Sequence, residues 1–304
     1  MASDHDKRYK QLFSNPVIVE ELLLYFVDED FVKNLDFSTL ESVNKSFITD
    51  EFKEKESDII YKIQYNGEDI YVYLLIEFQS TVDKFMAVRM LRYIMEFYQA
   101  LITLQRPKKL PAVFPVLLYN GDKKWTARTN VNELIENTIP GSYIPDFRYY
   151  KVIENEISDK TLFEIKNVLS AVFYIENIDN PAGIRKHFKN VLQLIEKEEL
   201  PVIKALARWL NNYLKYENED LIEELNSIEE VKTMFATALI KHDQEIEKRG
   251  EQKGLEKGIT EGITKGHREK QVEIAKELLA NNVSIDIIVR ATKLSKKQIE
   301  QLKD

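Results

Sequence analysis

Hydrophobic and polar positions alternate most clearly between Ser57 and Gln79, S-D-I-I-Y-K-I-Q-Y-N-G-E-D-I-Y-V-Y-L-L-I-E-F-Q. Two runs rich in Ile, Val and Tyr flank Asn66-Gly67, the pair that most strongly predicts a two-residue hairpin turn. With those two residues as the loop, Tyr65 pairs with Glu68 and, counting outward, Asp58 pairs with Leu75. Glu77 is then the diagonal neighbour of Asp58 on the same face, and Gln79 follows on that face. The second run is apolar on both sides, Ile70, Val72, Leu74, Ile76 and Phe78 on one and Tyr71, Tyr73 and Leu75 on the other. Such a run predicts a central strand buried on both faces.

Helical periodicity surrounds this hairpin. Asp4 to Lys10 is a polar lead-in to a predicted helix Pro16 to Val27, with Asn15 as cap, Pro16 at the first helical position and Leu22, Leu23, Tyr25 and Phe26 as its buried stripe. Asp28 to Glu56 reads as a polar connection with short helical pieces. After the hairpin, Ser80 and Asp83 form a capping box for a helix from Val82 to Leu104, which buries Met86, Met90, Leu91, Ile94, Phe97, Tyr98 and Leu101. Ala112 to Tyr119 is a predicted buried strand in which Pro115 implies a bulge or an unpaired edge. Trp125 opens a further short segment, and Phe147 to Ile153 is the last predicted strand. Four helices follow, Ser158 to Glu176, Pro181 to Glu198, Pro201 to Tyr216 and Asp220 to Lys248, with Leu169, Val172, Phe173, Val191, Leu194, Leu206, Trp209 and Leu210 as their shared core.

The tail carries a repeat. Gly250, Gly254, Gly258, Gly262 and Gly266 recur every fourth residue. Each Gly costs a helix about 1 kcal/mol relative to Ala, so the stripe needs a compensating contact or belongs to a flexible charged linker. A self-association helix and a linker are the two readings. Beyond it, Ser284 and Ser295 cap short helices resembling a helix-turn-helix. A plain helical hairpin is the simpler reading, while Lys293, Lys296 and Lys297 keep DNA contact open. The pattern divides the chain into an α/β domain at 1–153, a helical domain at 154–248 and a glycine-repeat helix or linker with a short helical tail at 249–304.

Composition adds bounds. The 304 residues are 44% hydrophobic and 31% charged, which describes a globular chain with ample core material. No apolar run approaches a membrane span and no export leader is visible. Zero cysteines exclude disulfides, thiolate metal sites and a cysteine nucleophile, and cytoplasmic residence is expected. The net charge of -8 is uneven: Met1 to Ala100 holds 11 basic and 19 acidic residues, Leu101 to Tyr150 holds 7 and 4. A nucleic acid would therefore dock on a local patch.

The candidate chemistry sits on the hairpin. Diagonal positions lie roughly 7 to 8 Å apart, a gap that two carboxylates close around one cation. A carboxylate at the end of a buried strand costs several kcal/mol unless it is paired or binds metal, so Glu77 serves either a metal or a salt bridge. Glu20 or Glu21 is a candidate third acid; the alternative is a solvated glutamate in a first helical turn. Arg89, Arg92, Tyr93 and Glu96 share a helical stripe that either holds a phosphate backbone or pairs Arg92 with Glu96 in solvent. Histidines at metal spacing, serine-nucleophile motifs and phosphate-binding glycine loops are absent.

Five blocks together resemble the Rpn family, described as recombination-promoting nucleases or transposases within the PD-(D/E)XK nuclease superfamily. They are D-x-x-Y-K-Q-L-F at Asp6 to Phe13, the Asp58 strand, L-L-I-E-F-Q-S at Leu74 to Ser80, R-M-L-R-Y at Arg89 to Tyr93 and P-V-L-L-Y-N-G at Pro115 to Gly121. The resemblance implies a restriction-endonuclease-like mixed sheet flanked by helices, and metal-dependent hydrolysis of DNA phosphodiesters. Asp58 and Glu77 match the two superfamily acids. Ser57 stands where the superfamily name has proline. Gln79 stands where most members place lysine, as is usual in the Rpn branch; its neutral amide can orient water but cannot act as a base near neutral pH. On this resemblance Asp58, Glu77 and the Phe78 backbone carbonyl would hold Mg2+ or Mn2+, Gln79 would orient water, and Arg89 or Arg92 with Tyr93 would hold phosphate. DNA is the expected partner, with homo-oligomerisation through the helical C-terminal region. The alternative is a catalytically weak or inactive relative acting as a DNA-binding or oligomeric interaction protein.

Overall fold

Asn66 and Gly67 both take left-handed backbone angles, φ 52° and 82°. That is the type I′ geometry matching the twist of the strands they join. The computed structural model describes residues 4–43, 58–77, 81–121, 123–136, 138–139, 143–178, 184–214 and 227–302. Strands β2 (Asp58–Tyr65) and β3 (Glu68–Glu77) pair antiparallel from Tyr65 opposite Glu68 to Asp58 opposite Leu75, the register that the turn predicts. β1 (Leu35–Ser42) adds antiparallel to β2. β4 (Val113–Tyr119) and β5 (Tyr150–Ile153) add parallel on the other side of β3, so the mixed sheet runs β1-β2-β3-β4-β5 with β3 central. Pro115 pairs with Tyr73 of β3, while pairing of β4 with β5 begins only at Val116, so the proline sits on a one-sided stretch of β4.

The two faces of β3 organise two cores. Val72, Leu74 and Ile76 meet α1 (Asp4–Leu12), α2 (Pro16–Phe26), α5 (Val168–Glu176), α7 (Leu200–Leu214) and the start of the later helix α8 (Ile228–Ala280), through Phe13, Leu22, Phe173, Trp209 and Phe235. Tyr71, Tyr73 and Leu75 meet α3 (Met86–Gln105) through Met90, Ile94 and Phe97. Fully burying each of these aliphatic side chains contributes about 1.5–3 kcal/mol, which is why the central strand carries helices on both sides. Up to His242 the helices beyond residue 153 share one core with the sheet, and the chain divides into two compact units, Met1–His242 and Asp243–Asp304.

Other expectations are corrected locally. The polar connection at 28–56 contains β1, whose register shifts between Asp36 and Glu41, where Asp36 bonds the Ser38 hydroxyl and backbone N–H. Tyr25 is exposed rather than part of the α2 stripe. α3 starts at Met86, because Asp83 accepts the Phe85 N–H in a turn before it; Ser80, the other half of the expected capping box, lies outside the described residues. The last strand is shorter than expected, since Arg148 makes only a single bridge to Asn130. Ser158 to Glu176 breaks into α4 (Asp159–Ile165) and α5 at Lys166, φ 56°, with Asn167 capping α5. α6 (Ile184–Leu194) and α7 follow, and α6 ends at Leu194, before the expected Glu198.

The glycine repeat lies inside α8, which excludes the linker reading for these residues. A Cβ at any of the five glycines would meet nothing within 4 Å, so no packing inside the described chain asks for glycine there. Leu255, Ile259 and Ile263, interleaved with them, are exposed. α9 (Ile285–Thr292) and α10 (Lys296–Glu300) close a small core of Ala275, Ile288, Leu294 and Ile299, with Ser295 and Gln298 forming a capping box.

Candidate functional site

Parallel pairing sets the ends of β3, β4 and β5 side by side, with Glu77 level with Tyr119 and Tyr119 level with Ile153. The carboxyl ends of parallel strands are where open α/β sheets place ligands, because the helices leave that edge uncovered. The Asn120 N–H donates to the Glu77 carbonyl at 3.2 Å, fixing the strand end. By alternation Glu77 belongs to the face of Tyr73 and Leu75, the α3 face, and its side chain is buried (6% exposed). Position 58, opposite Leu75, belongs to that face as well. The Asp58 side chain, Phe78 and Gln79 lie outside the described residues.

α3 delivers the counter-charge. Arg89, in its first turn, places Nη2 on Glu77 Oε2 and Nη1 at 3.6 Å from Asp83 Oδ2. Its Nε is buried and has no hydrogen-bond partner among the described residues. Burial works against the guanidinium charge, but Glu77 and then Tyr93 outweigh it, so Arg89 is held above its ordinary pKa. Two cations lie near the Tyr93 ring, whose centroid is 5.8 Å from the Arg89 guanidinium carbon and 5.1 Å from that of Arg92. Arg92 pairs with Glu96 at 3.2 Å on an exposed face. The structure therefore joins Glu77, Arg89 and Tyr93 in one corner and hands the Arg92 head group to Glu96.

Glu21 is not in this corner. It lies on α2, across the sheet, and its Oε2 accepts the Leu169 N–H at 2.8 Å at the start of α5. Burial raises its pKa to about 8, with the Leu169 bond opposing. As a helix cap in the opposite core it cannot serve as a third acid beside Glu77, because the sheet separates them.

A second acidic group, which periodicity does not reveal, sits behind the same strand ends. Glu154 follows β5 directly, is fully buried, and holds both carboxyl oxygens against the Tyr9 hydroxyl at 2.9 and 2.8 Å. Asn120, just past β4, reaches that hydroxyl through Nδ2 at 3.4 Å. Burial, then Glu176, pushes the Glu154 pKa well above the carboxylate range, and burial likewise raises Tyr9. Glu176 rises to about 7 through burial, opposed by Arg8 and Asn120. The available signal was Tyr9 within the D-x-x-Y block and a glutamate immediately after a strand.

Glu77 and the backbone carbonyl at its strand end offer only oxygen donors, the kind a hard divalent ion takes, and the Arg89 guanidinium seated on Glu77 occupies the place of a cation, while Asp83 faces the other terminal nitrogen of Arg89. Among the described residues, no three His, Asp or Glu side chains gather closely enough to hold a metal by themselves. Nor, among them, is any helix long and apolar enough to cross a membrane.

The family profile described as "Putative transposase, YhgA-like" matches residues 3–201, well over half the chain. Recombination-promoting nuclease RpnD of Escherichia coli O157:H7 is 29% identical over 122 residues, 40% of this chain and 47% of its own length. Recombination-promoting nuclease RpnA of Escherichia coli (strain K12) is 32% identical over 120 residues, 40% and 41% respectively. The inactive recombination-promoting nuclease-like protein RpnE of the same strain is 29% identical over 126 residues, 40% of each. The matched stretch thus spans less than half of each relative. No solved structure matches the chain.

Proposed function

The chain belongs to the YhgA-like transposase family, and from that premise we propose that it is a divalent-metal-dependent DNA endonuclease serving recombination or mobile elements. The observation that carries this reading is Glu77, a buried carboxylate at the carboxyl end of the central strand, with position 58 on the same face and a cation already seated against it. Mg2+ or Mn2+, when bound, supplies an acidified water and offsets charge on the pentavalent phosphorus. In the proposal Asp58, Glu77 and the Phe78 backbone carbonyl hold the ion. Gln79 orients the attacking water by accepting or donating a hydrogen bond, without taking its proton. Arg89 and Arg92, both near the Tyr93 ring, present charge to the scissile phosphate. The exposed Gly250–Gly266 stripe of α8, lined by Leu255, Ile259 and Ile263, is proposed to pair with a second copy.

The test is cleavage of supercoiled plasmid with Mg2+, Mn2+ or EDTA by the wild type and Glu77→Ala. Metal-dependent cleavage that Glu77→Ala abolishes supports the assignment; equal cleavage by both places the activity elsewhere. A second reading, a nuclease-fold protein that binds DNA or assembles without turnover, is favoured by the Glu77–Arg89 pair and by relatives named inactive. Metal binding without cleavage of any DNA form would select it.

A further inference from the structure

Arg89 is held by two carboxylates and fully satisfied by neither. One terminal nitrogen contacts Glu77, the other stands 3.6 Å from Asp83, and the buried Nε is left without a partner. A guanidinium that served only to neutralise Glu77 would gain most from a side-on, two-nitrogen pairing using Nε. The end-on geometry leaves that capacity unused and keeps the head group between Glu77, Asp83 and the Tyr93 ring. Glu77 is almost fully buried, whereas Asp83 is one-third exposed. Arg89 can therefore leave Glu77 without losing every acceptor, and Glu77 cannot lose Arg89 without another cation arriving.

We infer that Arg89 is an exchangeable counter-ion: it occupies the place of the divalent cation on Glu77 and swings to Asp83 when that ion binds. This rests on the metal-dependent reading of the same corner. In the swung position the guanidinium stays on the Tyr93 face with Nη2 and Nε free, the two donors a phosphodiester oxygen pair would accept. Arg89 then acts as a positioning residue that couples metal arrival to phosphate capture, and Asp83 is the stop that makes the exchange reversible.

The experiment is Mn2+ binding to the full chain without DNA, by calorimetry and by the electron paramagnetic resonance of free Mn2+. Arg89→Gln removes the competing cation and is expected to tighten Mn2+ binding by about tenfold or more, the effect of deleting one close like charge. Asp83→Asn, at a partly exposed position, removes the stop, leaves Arg89 on Glu77 and is expected to weaken binding several-fold. Glu77→Gln is the control that the ion binds in this corner. Unchanged or weaker binding in Arg89→Gln overturns the exchange while leaving the metal site standing. If Arg89→Gln does not fold, unchanged affinity in Asp83→Asn overturns it instead. No Mn2+ bound by the wild type overturns the metal-dependent reading and the exchange with it.

Discussion

Glu77 and Glu154 sit at the ends of strands in one sheet, both buried, and the fold treats them in opposite ways. Glu77 faces a guanidinium, the two forming an ion pair. Glu154 faces a phenol and a second glutamate, and burial favours its protonated form. Neighbours rather than residue type decide which carboxylate joins an ion pair and which is a hydrogen-bonding strut whose protonated form burial favours. Glu77, paired with a cation at the end of the central strand, is the carboxylate that the proposed metal site uses. Glu154 fixes α1 against the sheet through Tyr9.

Truncation should separate the two most sharply. Glu154→Ala leaves the Tyr9 hydroxyl buried without its main acceptor and opens a cavity, an expected loss of about 4 kcal/mol by urea unfolding. Glu154→Gln mimics the neutral acid and should cost less than about 1 kcal/mol at neutral pH. A large loss in Glu154→Gln would mean that Glu154 is ionised, and the contrast with Glu77 would collapse. Glu77→Gln should cost more than its Glu154 counterpart, about 2 kcal/mol. It strands a mostly buried guanidinium, which keeps Asp83 and the Tyr93 ring.

A smaller effect is spread over pH. Glu176 and Glu21 have folded pKa values of about 7 and about 8, raised by burial from 4.5. The folded state therefore binds more protons than the unfolded chain above 4.5. Their stabilising contribution is complete below that pH and is lost as pH rises through 7 and 8. The urea midpoint should fall across this window, by at most about 1.4 kcal/mol per pH unit per group, and Glu176→Gln should flatten the part below 7. A midpoint rising through that window in the wild type would mean that Arg8 keeps Glu176 ionised. Smallest of all, Arg92→Ala should cost less than about 0.5 kcal/mol in stability, because its bond to Glu96 is an exposed i,i+4 pair. A loss as large as that of Glu77→Gln would show that Arg92, too, belongs to the buried corner.

The hairpin, its register, the central position of β3 and the long helix after it were legible in the sequence. Asn-Gly forces a turn with two left-handed residues, and strand alternation then assigns every side chain to a face. The Asn15 cap and Pro16 start of α2 were legible for the same local reason. β1 was not, because an edge strand with polar alternation and a register shift carries little signal of its own. Nor was the union of sheet and C-terminal helices in one core, which depends on which apolar faces meet.

The sequence by itself thus determined the elements and the positions of the two acids on one face. Only the tertiary structure decided that Glu77 pairs with Arg89, that Glu21 caps α5 across the sheet, and that Glu154 is held with Tyr9. The physical reason is range. Turn and strand preferences act between residues a few positions apart, whereas the charge of a buried carboxylate is set by groups that folding brings from 12 to 148 positions away.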